Sequence, residues 1–346
     1  QVRLFVDDLH SFARICPQVA PAALRQRIND VDILHWQTAL PAQTLLEAAE
    51  LCTVQLCIEA LACTVPAEFL NALEQANPQA LWLNLEYLSA EQWVEGCHAL
   101  PSPQPHLPLQ KYFFFPGFTA ATGGLLQEAN LQQQAAAFIA NQAAQQAFWA
   151  ALGINNSARF TQKISLFAYD HPMLESLLSC WQQGAEPTLC LVPEGALANQ
   201  LMQLYPQLKQ HGELVINTLT LKVLPFMPQD DYDKLLFACD INFVRGEDSV
   251  IRAHWAAKPF IWQIYRQAEQ AHLTLVALHR CLHAVSEVDE FAGWGEGISL
   301  PVEAFDRASS IDQVPLAGVV GRPRDAHGAK AHVRDGLGER DARLFC

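Results

Sequence analysis

Over most of the chain, brief apolar runs alternate with stretches whose apolar positions recur at helical spacing. Leu221–Leu224 is one such run. Pro225 stops it, and the polar start at Gln229–Asp233 opens a helical pattern through Leu235, Leu236 and Ala238. Ile241–Val244 is a second run, ending in Arg245-Gly246-Glu247-Asp248-Ser249. Ile251, Trp255 and Ala256 then repeat at helical spacing until Lys258-Pro259 ends the helix and Phe260–Ile264 begins a strand. Upstream, Gln1–Val6, Val31–Trp36, Ile58–Cys63, Ala80–Leu85 and Lys111–Phe115 read as strands, with helices over His10–Cys16 and Ala67–Ala76. Lys163–Phe167 and Thr188–Val192 are further strands, each followed by a helix, Pro172–Gln183 and Ala196–Lys209. Such alternation predicts βαβ units and parallel sheets, an α/β fold.

The Gln/Ala-rich stretch from Asn130 to Ala151 carries few charges and reads as a helix between domains, with Gly153-Ile154-Asn155-Asn156 as the boundary. This predicts one domain over residues 1–152 and a second over 153–273. Residues 274–346 differ in character. Eight of the seventeen glycines fall from Gly293 onward, and the stretch after Gly318 has no strand or helix period. A disordered tail and a reading-frame change in the gene near residues 273–290 both account for it.

Composition narrows the chemistry. A length of 346 residues suits about two domains at roughly 150 residues each. The apolar runs are broken well short of the ~20 residues that span a bilayer, so no membrane association is expected. The formal charge of −14 argues against nucleic acid and fits a basic protein partner better. Ten cysteines without a CxxC pair match a reducing cytosol, hence a cytoplasmic location, and no His or Cys stands at zinc spacing. HExxH, GxSxG, Walker and GxGxxG motifs are all missing.

In an open parallel sheet, ligands sit beyond the carboxyl ends of the strands, so Phe226–Gln229 and Arg245–Ser249 are expected to line one crevice. Gly246 permits close backbone approach. Asp248 or Ser249 can cap a helix whose amides, with the Arg245 cation, suit a phosphate or diphosphate. Phosphates repel Glu247, which would instead face hydroxyls or a cationic acceptor. An ordinary capping loop would carry the same residues. The Thr122-Gly123-Gly124 break fits either backbone approach to a ligand or a tight turn, and Asn84, Glu86 and Tyr87 fit either acceptor contact or a polar strand end.

Several motifs together resemble one family. These are Ile58-Glu59-Ala60-Leu61-Ala62-Cys63, Trp82 to Ser89 (WLNLEYLS), Leu100-Pro101-Ser102-Pro103, Lys111 to Leu126 (KYFFFPGFTAATGGLL), Leu166-Phe167-Ala168-Tyr169, Pro225-Phe226-Met227-Pro228-Gln229 and Arg245-Gly246-Glu247-Asp248-Ser249. From about residue 1 to 273 they are similar, in order, to EarP, the bacterial protein-arginine rhamnosyltransferases that modify translation elongation factor P. The resemblance implies two Rossmann-like domains of GT-B glycosyltransferase architecture. It also implies a dTDP-β-L-rhamnose donor, no metal or other cofactor, and inverting transfer to an arginine nitrogen of elongation factor P.

By the same resemblance, Tyr169, Phe226, Met227, Pro228 and Gln229 form the nucleotide-sugar pocket with Arg245, Gly246, Glu247, Asp248 and Ser249. Glu247 matches a glutamate the family needs for activity, and Phe226 or Tyr169 suits stacking on thymine. The family opens with a D-N-F-G-D-I-G-V strand and loop whose aspartates include the proposed general base. This chain starts after them, and Asp7 and Asp8 match a later pair. The resemblance therefore implies an incomplete first domain, an exposed strand edge, low stability and impaired turnover. Two alternatives stand beside it: a non-catalytic nucleotide-sugar-binding remnant, or another GT-B transferase with a different donor.

Overall fold

The computed structural model describes residues 1–36, 47–172 and 174–263, which fall into two compact units, 1–129 and 130–263. Each is a set of mainly parallel strands flanked by helices. The sequence-based expectations for Ile264 and for the tail lie outside the described residues.

In the first unit, β1 (Val2–Val6) runs parallel to β3 (Val31–His35), and β2 (Arg25–Ile28) is antiparallel to β3, giving the order β1-β3-β2. A second sheet is all parallel: β4 (Leu56–Ala60), β5 (Leu81–Leu85) and β6 (Gln110–Phe114). Among the described residues, four helices belong here, α1 (Leu9–Ile15), α2 (Ala48–Leu51), α3 (Ala67–Ala76) and α4 (Trp93–Cys97). α3 forms where the apolar spacing predicts it. Phe69, Leu70 and Leu73 make one buried stripe that packs with Leu34, Trp82 and Leu109, so the core draws on both sheets. Apolar character in β2 is confined to one residue of RQRI, and the hydrophobic pattern did not reveal it.

A charged rung crosses the second sheet. Lys111 of β6 donates to Glu59 of β4 at 2.7 Å and lies 4.0 Å from the Trp82 ring on the strand between them. Both charged side chains are nearly enclosed, at 13% and 11% exposure. The loop after β6 is drawn tight. Gly123 N–H donates to Phe115 O at 2.8 Å, and Phe115 N–H donates to His98 Nδ1 at 3.1 Å. Burial lowers the His98 pKa, which favours the neutral ring that can accept this bond. A Cβ on Gly123 would stand 2.3 Å from Phe114 Cζ, so packing demands this glycine.

The second unit starts with α5 (Leu131–Ala140) and α6 (Gln142–Ala151), where the sequence suggested one helix. Asn141 divides them. It closes α5, and its side chain accepts from Ala144 N–H at 3.0 Å to cap α6. Phe138 packs on Phe148 and Phe237, so both helices join the second unit, and the first ends at Ala129 instead of residue 152. Next come β7 (Gln162–Leu166), α7 (Leu174–Gln182), β8 (Thr188–Pro193), α8 (Ala196–Leu204), α9 (Gln207–His211), β9 (Glu213–Ile216), β10 (Leu219–Leu224), α10 (Gln229–Ala238), β11 (Ile241–Arg245), α11 (Gly246–Trp255) and β12 (Phe260–Gln263). Pro206 splits the single helix expected over Ala196–Lys209, because it lacks an N–H and disfavours helical backbone at Tyr205.

The sheet order is β12-β11-β7-β8-β10-β9, parallel except for β9. β8 is buried at all six positions, as a central parallel strand covered on both faces must be. Leu166, Leu178, Val192, Leu201, Leu221 and Phe243 knit sheet and helices into one core.

Two substitutions test this packing. Lys111→Met should cost about 3–5 kcal/mol in chemical denaturation, because it strands the Glu59 carboxylate; pairing it with Glu59→Gln should recover much of that. Gly123→Ala should cost about 1–3 kcal/mol through overpacking against Phe114.

Candidate functional site

The winding of the second unit's six-stranded sheet reverses at β7. From β7 the chain passes to β8 and β10 on one side and later returns to lay β11 on the other. Adjacent loops diverge there, which opens a crevice beyond the carboxyl ends of the strands. Leu166 pairs with Phe243, and Phe167 N–H extends the ladder to Phe243 O at 3.1 Å. Tyr169 and Gly246 each lie three residues past that rung.

Arg245 ends β11 in this crevice. Its guanidinium sits 4.6 Å from the ring centroids of both Phe167 and Tyr169. The Nε is buried without a hydrogen-bond partner, and among the described residues no carboxylate forms an ion pair with Arg245. Tyr169 is held through its N–H, which donates to Gln263 Oε1 at 2.7 Å.

α11 then begins abruptly. Gly246 has φ +67°, a backbone region costly for any residue with a Cβ, and its carbonyl accepts from Trp262 Nε1 at 2.9 Å. The capping expected of Asp248 or Ser249 is not what the structure has. Arg245 is the N-cap residue, no side chain caps the helix, and both candidates already lie within it. Glu247 and Asp248 are exposed in the first turn, where the helix dipole favours a carboxylate.

The Phe226–Gln229 segment follows β10. Phe226 is 44% exposed, and its N–H donates to Glu194 Oε2 at 3.3 Å; Met227 and Pro228 are half-buried. Gln229, the first residue of α10, donates to Asp233 Oδ1 at 3.0 Å. This segment shares the carboxyl end of the sheet with Arg245–Ser249, but the two are not neighbours. β7 and β8 intervene, about 14 Å at three ladder spacings of ~4.8 Å.

Residues at the ends of β7 and β8 fill the gap. Tyr169 is one. Glu194 and Gly195 are others, which sequence reasoning passed over. A Cβ on Gly195 would lie 4.0 Å from an Arg245 Nη. The missed signal was a glycine between an apolar run and a helix, the same arrangement as at Gly246. Gln263, which holds Tyr169, carried no signal at all.

Beneath the crevice, Tyr232 of α10 packs edge-on against Phe167 at 5.5 Å. Its hydroxyl, buried without a hydrogen bond of regular geometry, faces Ser249; burial is the main cause of its raised pKa. In the first unit the residues with open alternatives also have local partners. The Gly123 turn serves packing, Asn84 Nδ2 donates to Glu86, and Tyr87 hydroxyl donates to Leu61 O at 3.3 Å. Among the described residues, no cluster of three or more His, Cys, Asp or Glu could hold a metal, and no helix is long and apolar enough to cross a membrane.

Taken together, these features present a buried-stem cation, two glycine-started helices and exposed aromatic surface along one sheet end. That combination suits a phosphorylated ligand bearing a flat ring.

Comparison with known proteins agrees in kind. A family profile described as elongation-factor P (EF-P) rhamnosyltransferase EarP matches residues 1–292, beyond the point near Leu273 where resemblance was visible in the motifs. The chain is 45% identical over 274 residues to the protein-arginine rhamnosyltransferase of Pseudomonas aeruginosa, covering 79% of this chain and 70% of that protein. The Pseudomonas putida protein of the same name is 44% identical over 286 residues (81% and 73%), and that of Neisseria meningitidis 34% over 282 (79% and 68%). A solved structure concerning EarP-mediated arginine glycosylation of translation elongation factor EF-P matches at 27% identity and a TM-score of 0.50, covering 84% of this chain and 80% of that one. The chain is an α/β protein of the GT-B glycosyltransferase kind and belongs to the EarP family of protein-arginine rhamnosyltransferases.

Proposed function

We propose that this chain transfers L-rhamnose from dTDP-β-L-rhamnose to an arginine side chain of elongation factor P. Beyond family membership, one observation carries the reading. Arg245 sits at the switch point of the sheet, wedged between two rings and without an acidic partner among the described residues, so its charge is available to an anion.

In this reaction a guanidinium nitrogen of the acceptor attacks C1 of the sugar from the face opposite the diphosphate. The N–C1 bond forms as the C1–O bond breaks. The bonding pair leaves with dTDP, the configuration at C1 inverts, and the nitrogen loses its proton to a carboxylate. Arg245 and the first amides of α11 would take up the charge that grows on the departing diphosphate. Phe226 offers the exposed ring for thymine, because Tyr169 already has its ring against Arg245. Met227, Pro228 and Gln229 extend that wall, while Gly246, Asp248 and Ser249 place the helix start.

The acceptor is demanding, since a guanidinium is protonated and delocalised at physiological pH. Glu247, exposed in the first turn of α11, is suited to hold that cation or the sugar hydroxyls.

Incubating the chain with elongation factor P and dTDP-β-L-rhamnose should add one deoxyhexose by intact-mass spectrometry, with UDP- and GDP-sugars inert. No addition while dTDP still binds would overturn the transfer reading in favour of the non-catalytic nucleotide-sugar-binding alternative. Arg245→Met should weaken dTDP binding about 10- to 100-fold by calorimetry, the worth of a charged hydrogen bond. Glu247→Gln should lower kcat by about 10²–10⁴ while leaving dTDP affinity within about threefold.

A further inference from the structure

The two segments proposed to grip the donor leave the sheet from strands that never touch. β10 and β11 stand on opposite sides of the β7–β8 pair. The sheet fixes which end each segment occupies, but the span between them depends on whatever else joins them. That span matters, because a nucleotide diphosphate can be held at both ends only if the two grips are the right distance apart.

The helices that the segments open do make contact. Across it, Arg252 of α11 donates through Nη1 to Asp233 Oδ2 of α10 at 2.7 Å. Both side chains are withdrawn from solvent, at 15% and 6% exposure. The other oxygen, Asp233 Oδ1, accepts from Gln229 Nε2 at 3.0 Å. A single buried carboxylate therefore holds both the residue that opens α10 and the helix whose first turn carries Gly246 to Ser249. Nearer the crevice, Tyr232 faces Ser249 and braces Phe167, which in turn flanks Arg245.

Neither charged group is placed to meet the donor itself. Arg252 is six residues beyond Gly246, about 9 Å down the helix axis from the crevice. Stability is a weak reason for keeping such a pair. Withdrawing two charges from water costs about what their attraction returns, and an apolar pair often serves as well or better. An ion pair adds direction, a fixed separation and angle between two helices that an apolar contact would let slide.

We propose that Asp233 and Arg252 are positioning residues of the donor site, setting the span between Phe226–Gln229 and Arg245–Ser249 so that both ends of a thymidine diphosphate are gripped together. The proposal rests on the donor reading above and adds to it the element that couples the two halves.

The test uses the double variant Asp233→Asn/Arg252→Met in the full chain. It removes both charges of the pair together and keeps a side-chain oxygen for Gln229 to bind. Binding of dTDP and of the half-ligands thymidine and inorganic pyrophosphate is measured by calorimetry, with donor KM and kcat alongside. The expected result is a folded protein in which dTDP affinity falls, and donor KM rises, about tenfold or more. Thymidine and pyrophosphate should each bind within twofold of the unaltered chain, and kcat at saturating donor should change less than threefold. Undiminished dTDP binding, or losses shared equally by both half-ligands, would overturn the positioning role.

If the double variant does not fold, hydrogen exchange on the unaltered chain decides. Amides of residues 226–229 and 245–249 should gain protection together as dTDP is added, and protection at different ligand concentrations would refute coupling. An unaltered chain that binds neither dTDP nor the half-ligands removes the donor reading itself. One that binds them normally, with a double variant that binds dTDP equally well, removes only the positioning role.

Discussion

The parallel pairing of β7 with β11 is the constraint on which the site depends. It joins two strands far apart in sequence, in a register that leaves the Tyr169 and Gly246 segments level beyond Leu166 and Phe243. In that register Phe167 and Tyr169, two residues apart just beyond β7, flank one guanidinium. Ring faces attract a cation without satisfying its N–H groups as a carboxylate would. The arginine is thereby held in place and still able to donate. A shift of one residue would turn the aromatic pair to the other face and separate it from Arg245.

The scaffold around this point is rigid for ordinary reasons. β8 is buried along its whole length and Val192, Leu201 and Phe243 lock sheet to helices, so the strand ends have little freedom. The helix starts are less constrained by the sheet. Gly246 lets the chain turn from strand to helix within a residue, and Gly195 brings backbone close to Arg245. What spans the width of the site is the layer beneath, where α10 and α11 meet through Asp233 and Arg252. The first unit uses buried charge differently. Glu59 and Lys111 tie β4 to β6 across Trp82, within a sheet instead of between helices.

Secondary structure was most legible where one physical signal dominated. The Ala67–Ala76 helix and the buried β8 strand were plain because their apolar residues follow a single period. β2 escaped notice because RQRI has a single apolar residue, and β9 because the apolar run in ELVI is only three residues long, too short to mark an edge strand. The Gln/Ala-rich stretch showed the limit of propensity. Most residues favoured helix, yet Asn141 ended one helix and capped another, and Phe138 settled which unit they join. Capping by Asp248 or Ser249 failed for a related reason. Composition allows several start points, and the positive φ of Gly246 selects one.

The sequence by itself determined the α/β class, the parallel strands of the second unit and the two segments, around Phe226 and Arg245, that end at the carboxyl side of its sheet. These follow from local periodicity and from the rule that parallel strands carry ligands at one end. Only the tertiary structure decided that those segments are separated by two strands, that Glu194, Gly195 and Gln263 stand between or beside them, and that Asp233 and Arg252 join their helices. Strand order and helix contact bring together residues distant along the chain, and no local pattern of side chains encodes which strand lies next to which.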